Sequence, residues 1–172
     1  MIIHKNRILL VLIFAVFFTK LKAQEEKYIG LFVYNFTKYF DWPESMKGEN
    51  FVIEILGHQS VYEELLKITA NKKIGYQNIV IKNPSTPEEI GNSHMVFVGH
   101  WQSRHLPTII AKFSGKPSLI ISEMEGMLDQ GSAINFVIRD GTIKFEMKLS
   151  NVSSHHIKTD PRIRELAYRV ID

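Results

Sequence analysis

Apolar residues over 25–40 have the spacing of an amphipathic helix. Tyr28, Phe32 and Phe36 recur at four-residue intervals, which places their side chains on one helix face. The helix is predicted to end before Pro43, since the residue that precedes a proline avoids helical backbone angles. The aromatic stripe allows two interpretations: a face buried in the core, or a face that partly contacts a partner protein.

Short apolar runs alternate with helical patterns in the next part of the chain. Strands that are separated by helices pair in parallel through right-handed crossovers. Ser60 is the expected N-cap of the first of these helices, with Glu63 completing a capping box. The predicted strands are residues 51–56, 78–82, 94–98 and 118–121, and the predicted helical segments are residues 60–70, 86–90 and 106–113.

The last third of the chain has a different pattern. Two predicted strands, 133–138 and 142–149, are joined at Asp140-Gly141, a dipeptide that favours a tight hairpin because both turn residues need a positive φ angle. Asp160 and Pro161 then begin a final predicted helix, in which Ile163, Leu166, Ala167 and Val170 share one face. The full order predicts a three-layer α/β domain, Rossmann-like or flavodoxin-like, with a mostly parallel sheet and an antiparallel C-terminal hairpin.

Residues 1–23 form a separate unit at the start of the chain. Basic residues precede an unbroken apolar run over residues 8–18, and Ala23 supplies a small residue at the expected cleavage position. This order is typical of a secretory signal peptide, and the run is shorter than the roughly 20 residues that a membrane-spanning helix needs. We therefore predict a signal peptide over 1–23 and one exported domain over 24–172 without a membrane span. An uncleaved membrane anchor is the alternative.

The charge of the chain depends on whether this segment is counted. The whole sequence has 21 basic and 18 acidic residues, a net charge of +3. Four basic residues and no acidic one lie in residues 1–23, which leaves 17 basic and 18 acidic residues in the remainder. No clustered basic face is indicated, so we expect no nucleic-acid partner. The absence of cysteine excludes a disulfide scaffold and a cysteine nucleophile.

Two histidines occupy the positions that come closest to a functional site. His58 follows the first predicted strand and His100 follows the third. Ligands of parallel sheets bind beyond the carboxyl ends of the strands, where the strand order reverses. With the order 2-1-3-4, both histidines flank one crevice, and Ser122 and Glu123 lie nearby after the fourth strand. Such a group could hold Zn²⁺, bind an anion or respond to pH; alternatively, the histidines simply lie in loops.

The usual catalytic motifs are absent from the sequence, including G-x-S-x-G, H-E-x-x-H and the phosphate-binding G-x-x-x-x-G-K-[ST]. Glu123 and Glu125 are two residues apart and would not share a helix face, so they do not indicate a carboxylate pair. We therefore predict a protein that is not an enzyme. A periplasmic receptor for a small ligand or a metal remains an alternative, and a hydrolase with an unrecognised site is a third.

Two segments resemble one known family. Residues 27–43, KYIGLFVYNFTKYFDWP, follow its opening pattern of an aliphatic residue, Tyr-Asn-Phe, a lysine and an aromatic residue before Trp-Pro. Residues 131–146, GSAINFVIRDGTIKFE, follow its second pattern of a glycine, Ile-Asn-Phe, a turn and Phe-Glu. On these motifs the chain is identified as a member of the YfiR/HmsC-like family of bacterial periplasmic proteins, with a resemblance over essentially all of residues 24–172.

The resemblance implies a periplasmic regulator that needs no cofactor. Characterised members of the family bind and repress the periplasmic domain of an inner-membrane signalling protein, typically a diguanylate cyclase, and so control cyclic-di-GMP signalling and biofilm formation. A sensor histidine kinase is an alternative partner, and analogy implies a homodimer. Tyr34, Tyr39 and Trp42 are the candidate partner contacts, because exposed aromatic residues anchor interfaces; burial in the core is the alternative explanation for them.

The chain departs from the family pattern at two points. Better-known relatives carry disulfide-forming cysteines, and this chain has none, so disulfide-based redox switching cannot operate here. Lys148 stands where the family often has an asparagine. If that position contacts the partner, we expect a different partner preference.

Overall fold

The computed structural model describes residues 25–172, and the predicted signal peptide lies outside them. An eight-stranded sheet has the order β10-β8-β7-β6-β5-β2-β4-β3, and β1 pairs with β9 in a separate two-stranded sheet. The elements are α1 (25–36), β1 (Phe40–Asp41), β2 (Asn50–Leu56), α2 (Gln59–Thr69), β3 (Lys73–Ile74), β4 (Gln77–Lys82), β5 (Met95–Val98), α3 (Leu106–Lys112), β6 (Leu119–Ser122), β7 (Ile134–Arg139), β8 (Thr142–Lys148), α4 (Leu149–Ser154), β9 (Lys158–Thr159), α5 (Ile163–Leu166) and β10 (Arg169–Ile171).

The topology confirms the predicted fold class. The four strands that the sequence predicts as parallel are β2, β4, β5 and β6, and they pair in parallel in the order 2-1-3-4. Strand β7 extends the parallel part of the sheet, and β8 pairs with it in antiparallel. Asp140 and Gly141 connect these two strands with φ angles of 53° and 69°, which confirms the predicted hairpin turn.

Side chains of the central strands alternate between two apolar cores. Ile53, Met95 and Phe97 face one core, which also contains buried residues of α1 and α2. Val96 and Val98 face the other, where Leu106 and Ile109 of α3 pack against the sheet. This alternation follows from the two-residue period of a strand, and it explains why these strands are apolar throughout: both of their faces are covered.

The aromatic face of α1 belongs to the core. Phe36 packs on Phe136 of β7 and on Phe145 of β8, with ring centroids 6.0 and 5.1 Å apart. Phe32 contacts the same two rings at 5.9 and 5.5 Å. Such ring pairs stabilise a fold by about 0.5–1.5 kcal/mol each beyond the area that they bury. We call these four residues the aromatic seam, which attaches α1 to the C-terminal hairpin.

The predicted C-terminal helix is wrong beyond its first turn. Helix α5 covers only Ile163–Leu166, and the backbone turns extended at Ala167, which has a ψ angle of 138°. Val170, predicted on the helix face, lies in β10 and pairs with Met147 of β8 in parallel. The open edge of β8 supplies hydrogen-bond partners for this segment, and a local apolar spacing carries no information about such a distant edge.

His94 is buried between β2 and the segment before it. Its Nε2 lies 2.8 Å from the carbonyl oxygen of Met46, and its Nδ1 accepts a hydrogen bond from the Val52 amide at 3.1 Å. These two partners assign the neutral tautomer with the proton on Nε2. Burial lowers the pKa of His94, although the hydrogen bond to Met46 acts in the opposite direction.

Leu65 and Leu66 provide a test of the α2 packing, because these neighbours are 0% and 43% exposed. Leu65→Ala should lower the free energy of unfolding by about 2–5 kcal/mol, since it removes buried methyl groups and leaves a cavity. Leu66→Ala should change it by no more than about 0.5 kcal/mol. Urea denaturation measures both values. Equal losses for the two variants would contradict the burial of this helix face.

The buried His94 should make the protein less stable in acid. The unfolded chain binds a proton at the ordinary histidine pKa of about 6.5, whereas the folded state resists protonation, so the free energy of unfolding falls as the pH drops below that value. His94→Asn should remove this part of the pH dependence, and the exposed His156→Asn should retain it. Melting temperatures between pH 7.5 and 5 measure the effect. A His94→Asn profile parallel to that of the unsubstituted protein would refute the assignment.

Candidate functional site

Two glycines bring the carboxyl ends of β2 and β5 together at one edge of the sheet. A Cβ atom on Gly99 would lie 2.6 Å from the carbonyl oxygen of Gly57, closer than real Cβ contacts allow. Gly57 has a φ angle of 75°, a conformation that other residues rarely adopt. The strands therefore approach each other without a side chain between them, and the residues after each glycine border a common crevice.

His58 is the N-cap of α2, a role that the sequence assigns to Ser60. Its Nδ1 accepts a hydrogen bond from the Val61 amide at 3.4 Å, so the prediction for Ser60 is wrong by two residues. Imidazole is not a common capping group, which is why the sequence pattern favours serine. With Nδ1 engaged as an acceptor, the proton lies on Nε2, which faces the Glu123 carboxylate at 3.5 Å.

Glu123 connects the two sides of the crevice. One carboxylate oxygen accepts a hydrogen bond from the backbone amide of His100 at 2.5 Å, and the other faces His58. Burial raises the pKa of Glu123, and the charge of Glu26 adds to this effect, whereas His58 and His100 oppose it. The carboxylate is thus held by the start of α2 and by the segment after β5, and its position depends on both.

The imidazole of His100 does not join this arrangement. It is exposed and lies edge-on to the indole of Trp101, with ring centroids 5.1 Å apart. The structure therefore brings His58 and Glu123 together, and the hydrogen bond from His100 to Glu123 comes from its backbone amide. Within residues 25–172, no three His, Cys, Asp or Glu side chains form a group that could hold a metal ion. The interpretation as a zinc site has no support from this geometry.

The side chain of Ser122 lies inside the sheet and not in the crevice. It is fully buried, and its hydroxyl lies 2.7 Å from the Ser132 hydroxyl and 2.7 Å from Oδ1 of Asn135. These contacts fasten β6 to the start of β7. The expectation that Ser122 lines the crevice therefore needs correction, because the alternation along β6 turns its side chain inward and leaves the next residue, Glu123, to face the opening.

The crevice opens into a cavity of about 610 Å³ that is formed by distant parts of the chain. The start of α1, the loops after β2, β5 and β6, and the β7–β8 hairpin all contribute to it. Sequence reasoning finds three of these residues and misses those from α1 and the hairpin, since no local pattern places them here. The lining residues are Glu25, Glu26, Ile29, Gly57, His58, Gln59, His100, Trp101, Glu123, Met124, Glu125, Phe136, Val137, Ile138, Arg139 and Ile143.

The three aromatic residues predicted as partner contacts lie in different environments. Trp42 is only 5% exposed, and its indole N–H donates to the carbonyl oxygen of His94 at 3.1 Å, so it is a core residue and its prediction as a contact is wrong. Tyr34 and Tyr39 are half-buried. The ammonium of Lys72 lies 4.4 Å from the centroid of the Tyr34 ring.

The family model described as YfiR/HmsC-like matches residues 27–168. The chain belongs to the YfiR/HmsC-like family. Members of this family are periplasmic regulators in cyclic-di-GMP signalling. No curated protein matches the chain significantly. Of the helices in residues 25–172, none combines the length and the apolar character that a bilayer crossing requires.

The family motifs lie at the aromatic seam and beside it. Phe136 ends the Ile-Asn-Phe motif and Phe145 begins Phe-Glu, and both contact α1. Glu146 is almost buried on the opposite face, where Nη2 of Arg169 binds it at 3.0 Å. Lys148, which departs from the family pattern, lies 3.3 Å from Asp129. In this member of the YfiR/HmsC-like family, the motifs therefore support the fold, and the crevice residues His58, His100 and Glu123 lie outside them.

A methyl group on Gly99 should disturb the crevice. Gly99→Ala places its Cβ against the Gly57 carbonyl, so we expect the free energy of unfolding to fall by about 1–3 kcal/mol. Gly48→Ala is the matched control, because its added methyl would meet nothing within 4 Å. It should be neutral or stabilise the protein by up to about 1 kcal/mol through the unfolded state. Urea denaturation of both variants tests this, and a neutral Gly99→Ala would refute the close approach of the strands.

Proposed function

We propose that this member of the YfiR/HmsC-like family is an exported regulator that binds and represses the periplasmic domain of an inner-membrane signalling protein. The match to the family over residues 27–168 carries this proposal. The partner is a diguanylate cyclase or a sensor histidine kinase, and the protein acts in the periplasm after removal of residues 1–23. By analogy with the family we also propose a homodimer.

The contacts within the crevice are compatible with a protein that binds a partner or a ligand without catalysing a reaction. The Ser122 hydroxyl is occupied inside the sheet, and Glu123 is engaged by a backbone amide and by His58. His58 uses one ring nitrogen to cap α2. A nucleophile with an adjacent free base, which hydrolysis by covalent catalysis needs, is not present in this arrangement. These contacts favour a protein that is not an enzyme over an unrecognised hydrolase.

Tyr34 and Tyr39 are the proposed partner contacts, since Trp42 lies in the core. Basic groups lie over both rings: Lys38 is 4.8 Å from the Tyr34 centroid, and the Arg162 guanidinium is 5.9 Å from the Tyr39 centroid. Tyrosine and arginine are enriched where interfaces are anchored. Since the Arg162 guanidinium already binds Asp160 at 2.6 Å, Lys38 and Lys72 beside Tyr34 are the groups that would suit a partner segment with acidic and apolar residues.

The cavity favours a second candidate function, a receptor for a small ligand. Its volume lies in the range of ligand sites, and it combines apolar walls with a few polar groups at the carboxyl ends of parallel strands. Both functions are compatible in one molecule. If the ligand and the partner prefer different conformations of the protein, binding of the ligand lowers the affinity for the partner. Binding of the partner then lowers the affinity for the ligand by the same factor.

Binding to the purified periplasmic domains of the membrane diguanylate cyclases and sensor kinases of the same organism tests the regulatory function. We expect a dissociation constant in the micromolar range or below, and a loss of about tenfold or more in the double variant Tyr34→Ala/Tyr39→Ala, since interface anchors contribute this much. Tyr76→Ala, at an exposed tyrosine after β3, is the matched control and should bind normally.

Isothermal titration calorimetry measures these affinities. Repression is read separately as reduced synthesis of cyclic-di-GMP by the full-length cyclase, or as reduced autophosphorylation of the full-length kinase. The absence of a complex with both classes of partner would refute the proposed function. A normal affinity of the double variant would refute the contact surface alone.

A further inference from the structure

We propose that the cavity beyond β2, β5 and β6 binds a small organic cation with an apolar body, whose charged group lies between the indole of Trp101 and the carboxylates of Glu26 and Glu123. The inference rests on the receptor function proposed above and names the chemical class of its ligand. Three features of the lining support it: the balance of charge, an exposed indole and a partly exposed apolar wall.

The charges that line the cavity are unbalanced. Four carboxylates, Glu25, Glu26, Glu123 and Glu125, face one guanidinium, that of Arg139. This guanidinium is already engaged, because its Nη2 binds Glu125 at 2.9 Å and lies 3.8 Å from Glu146 on the other side. Among the lining residues within 25–172, Glu25 and Glu26 have no basic partner and Glu123 faces only the His58 imidazole, so this part of the cavity attracts positive charge.

Trp101 supplies a surface that suits a cation. Its side chain is 82% exposed, although tryptophan usually buries most of its large apolar area. It lies in the segment directly after Gly99, at the mouth of the cavity, with the His100 ring edge-on beside it. The face of an indole attracts ammonium groups more strongly than other aromatic rings do, and nearby carboxylates add to this attraction.

An apolar wall stands beside the charged part of the cavity. Met124 and Ile138 are 37% and 53% exposed, and the half-buried Ile143 pairs with Ile138 across the hairpin. Three of the lining residues, Trp101, Met124 and Ile138, thus belong to the large apolar side chains that remain exposed. A ligand with an apolar body would cover this wall, whereas a simple metal ion would leave it in water.

An anion fits the same lining poorly. Arg139 is paired, and the His58 ring directs one nitrogen to the α2 backbone and the other to Glu123. A bound anion would therefore meet carboxylates without a free guanidinium to compensate them. The lining therefore favours an organic cation over an anion.

Three probes that share one apolar body separate charge from shape: 2-phenylethylamine, which is an ammonium at pH 7.5, neutral 2-phenylethanol, and anionic phenylacetate. Each is titrated into the ¹⁵N-labelled exported form, residues 24–172, while the indole N–H signals are followed by NMR. The chain has two tryptophans. Trp101 reports on the cavity, and Trp42, whose indole N–H is bonded inside the core, serves as the internal reference.

We expect the ammonium to shift the Trp101 signal with saturation, the alcohol to bind about tenfold more weakly, and phenylacetate not to bind, since ion–indole and ion–carboxylate contacts together contribute about this factor. Trp101→Ala should abolish binding of the ammonium, as read by calorimetry, and Glu26→Gln and Glu123→Gln should each weaken it severalfold without affecting the alcohol. Glu165→Gln, at an exposed residue of α5, is the matched control.

Equal binding of the three probes, no saturable response to the ammonium, or an unchanged affinity in both glutamine variants would each overturn the proposal. Thermal denaturation of every variant shows whether it is folded, and the conservative glutamine variants keep the test valid should Trp101→Ala be destabilised. The titrations use no partner protein. Failure here leaves the binding to the membrane domain untouched, and failure of that binding leaves these titrations interpretable.

Discussion

The aromatic seam between α1 and the C-terminal hairpin is the interaction on which the rest of the structure depends. It joins Phe32 and Phe36 to Phe136 and Phe145, residues about one hundred positions apart in the sequence. Closing so long a loop costs conformational entropy, and the contact is favourable only because large apolar rings leave water together. Once α1 is attached, one face of β7 and β8 is covered, and Glu25 and Glu26 at its start are placed at the cavity.

The parallel topology determines the crevice in a comparable way. Because β2, β5 and β6 run in the same direction, their following loops emerge at one edge of the sheet. The glycines Gly57 and Gly99 allow the strand ends to approach, and a carboxylate from the third loop then reaches the other two. Binding groups from separate parts of the sequence therefore meet without any of them being adjacent in the chain.

The sequence predicts features whose signals lie in short segments, and it misses features that depend on contacts between distant segments. The central strands, their parallel pairing and the hairpin turn are predicted, because apolar periodicity, the alternation of strands with helices and Asp140-Gly141 are signals contained in short segments or general rules. The strand order 2-1-3-4 enters the sequence argument only as an assumption. Val170 is misplaced because its strand exists only beside the edge of β8. Trp42 and Trp101 show the same limit: both are tryptophans near the end of an element, and only the assembled fold buries the first and exposes the second.

Helix α1 connects the two surfaces to which function is assigned. Glu26 near its start lines the cavity, and Tyr34 lies two turns further along the same helix. The described part of α1 spans residues 25–36, a length of about 18 Å for a regular helix. A cation that pulls on Glu26 acts on an element that is attached to the hairpin through the aromatic seam. The cation can change the affinity for the partner only if α1 can take two positions and the cation binds one of them more tightly than the other. Signalling between these surfaces therefore requires an aromatic seam with two stable arrangements.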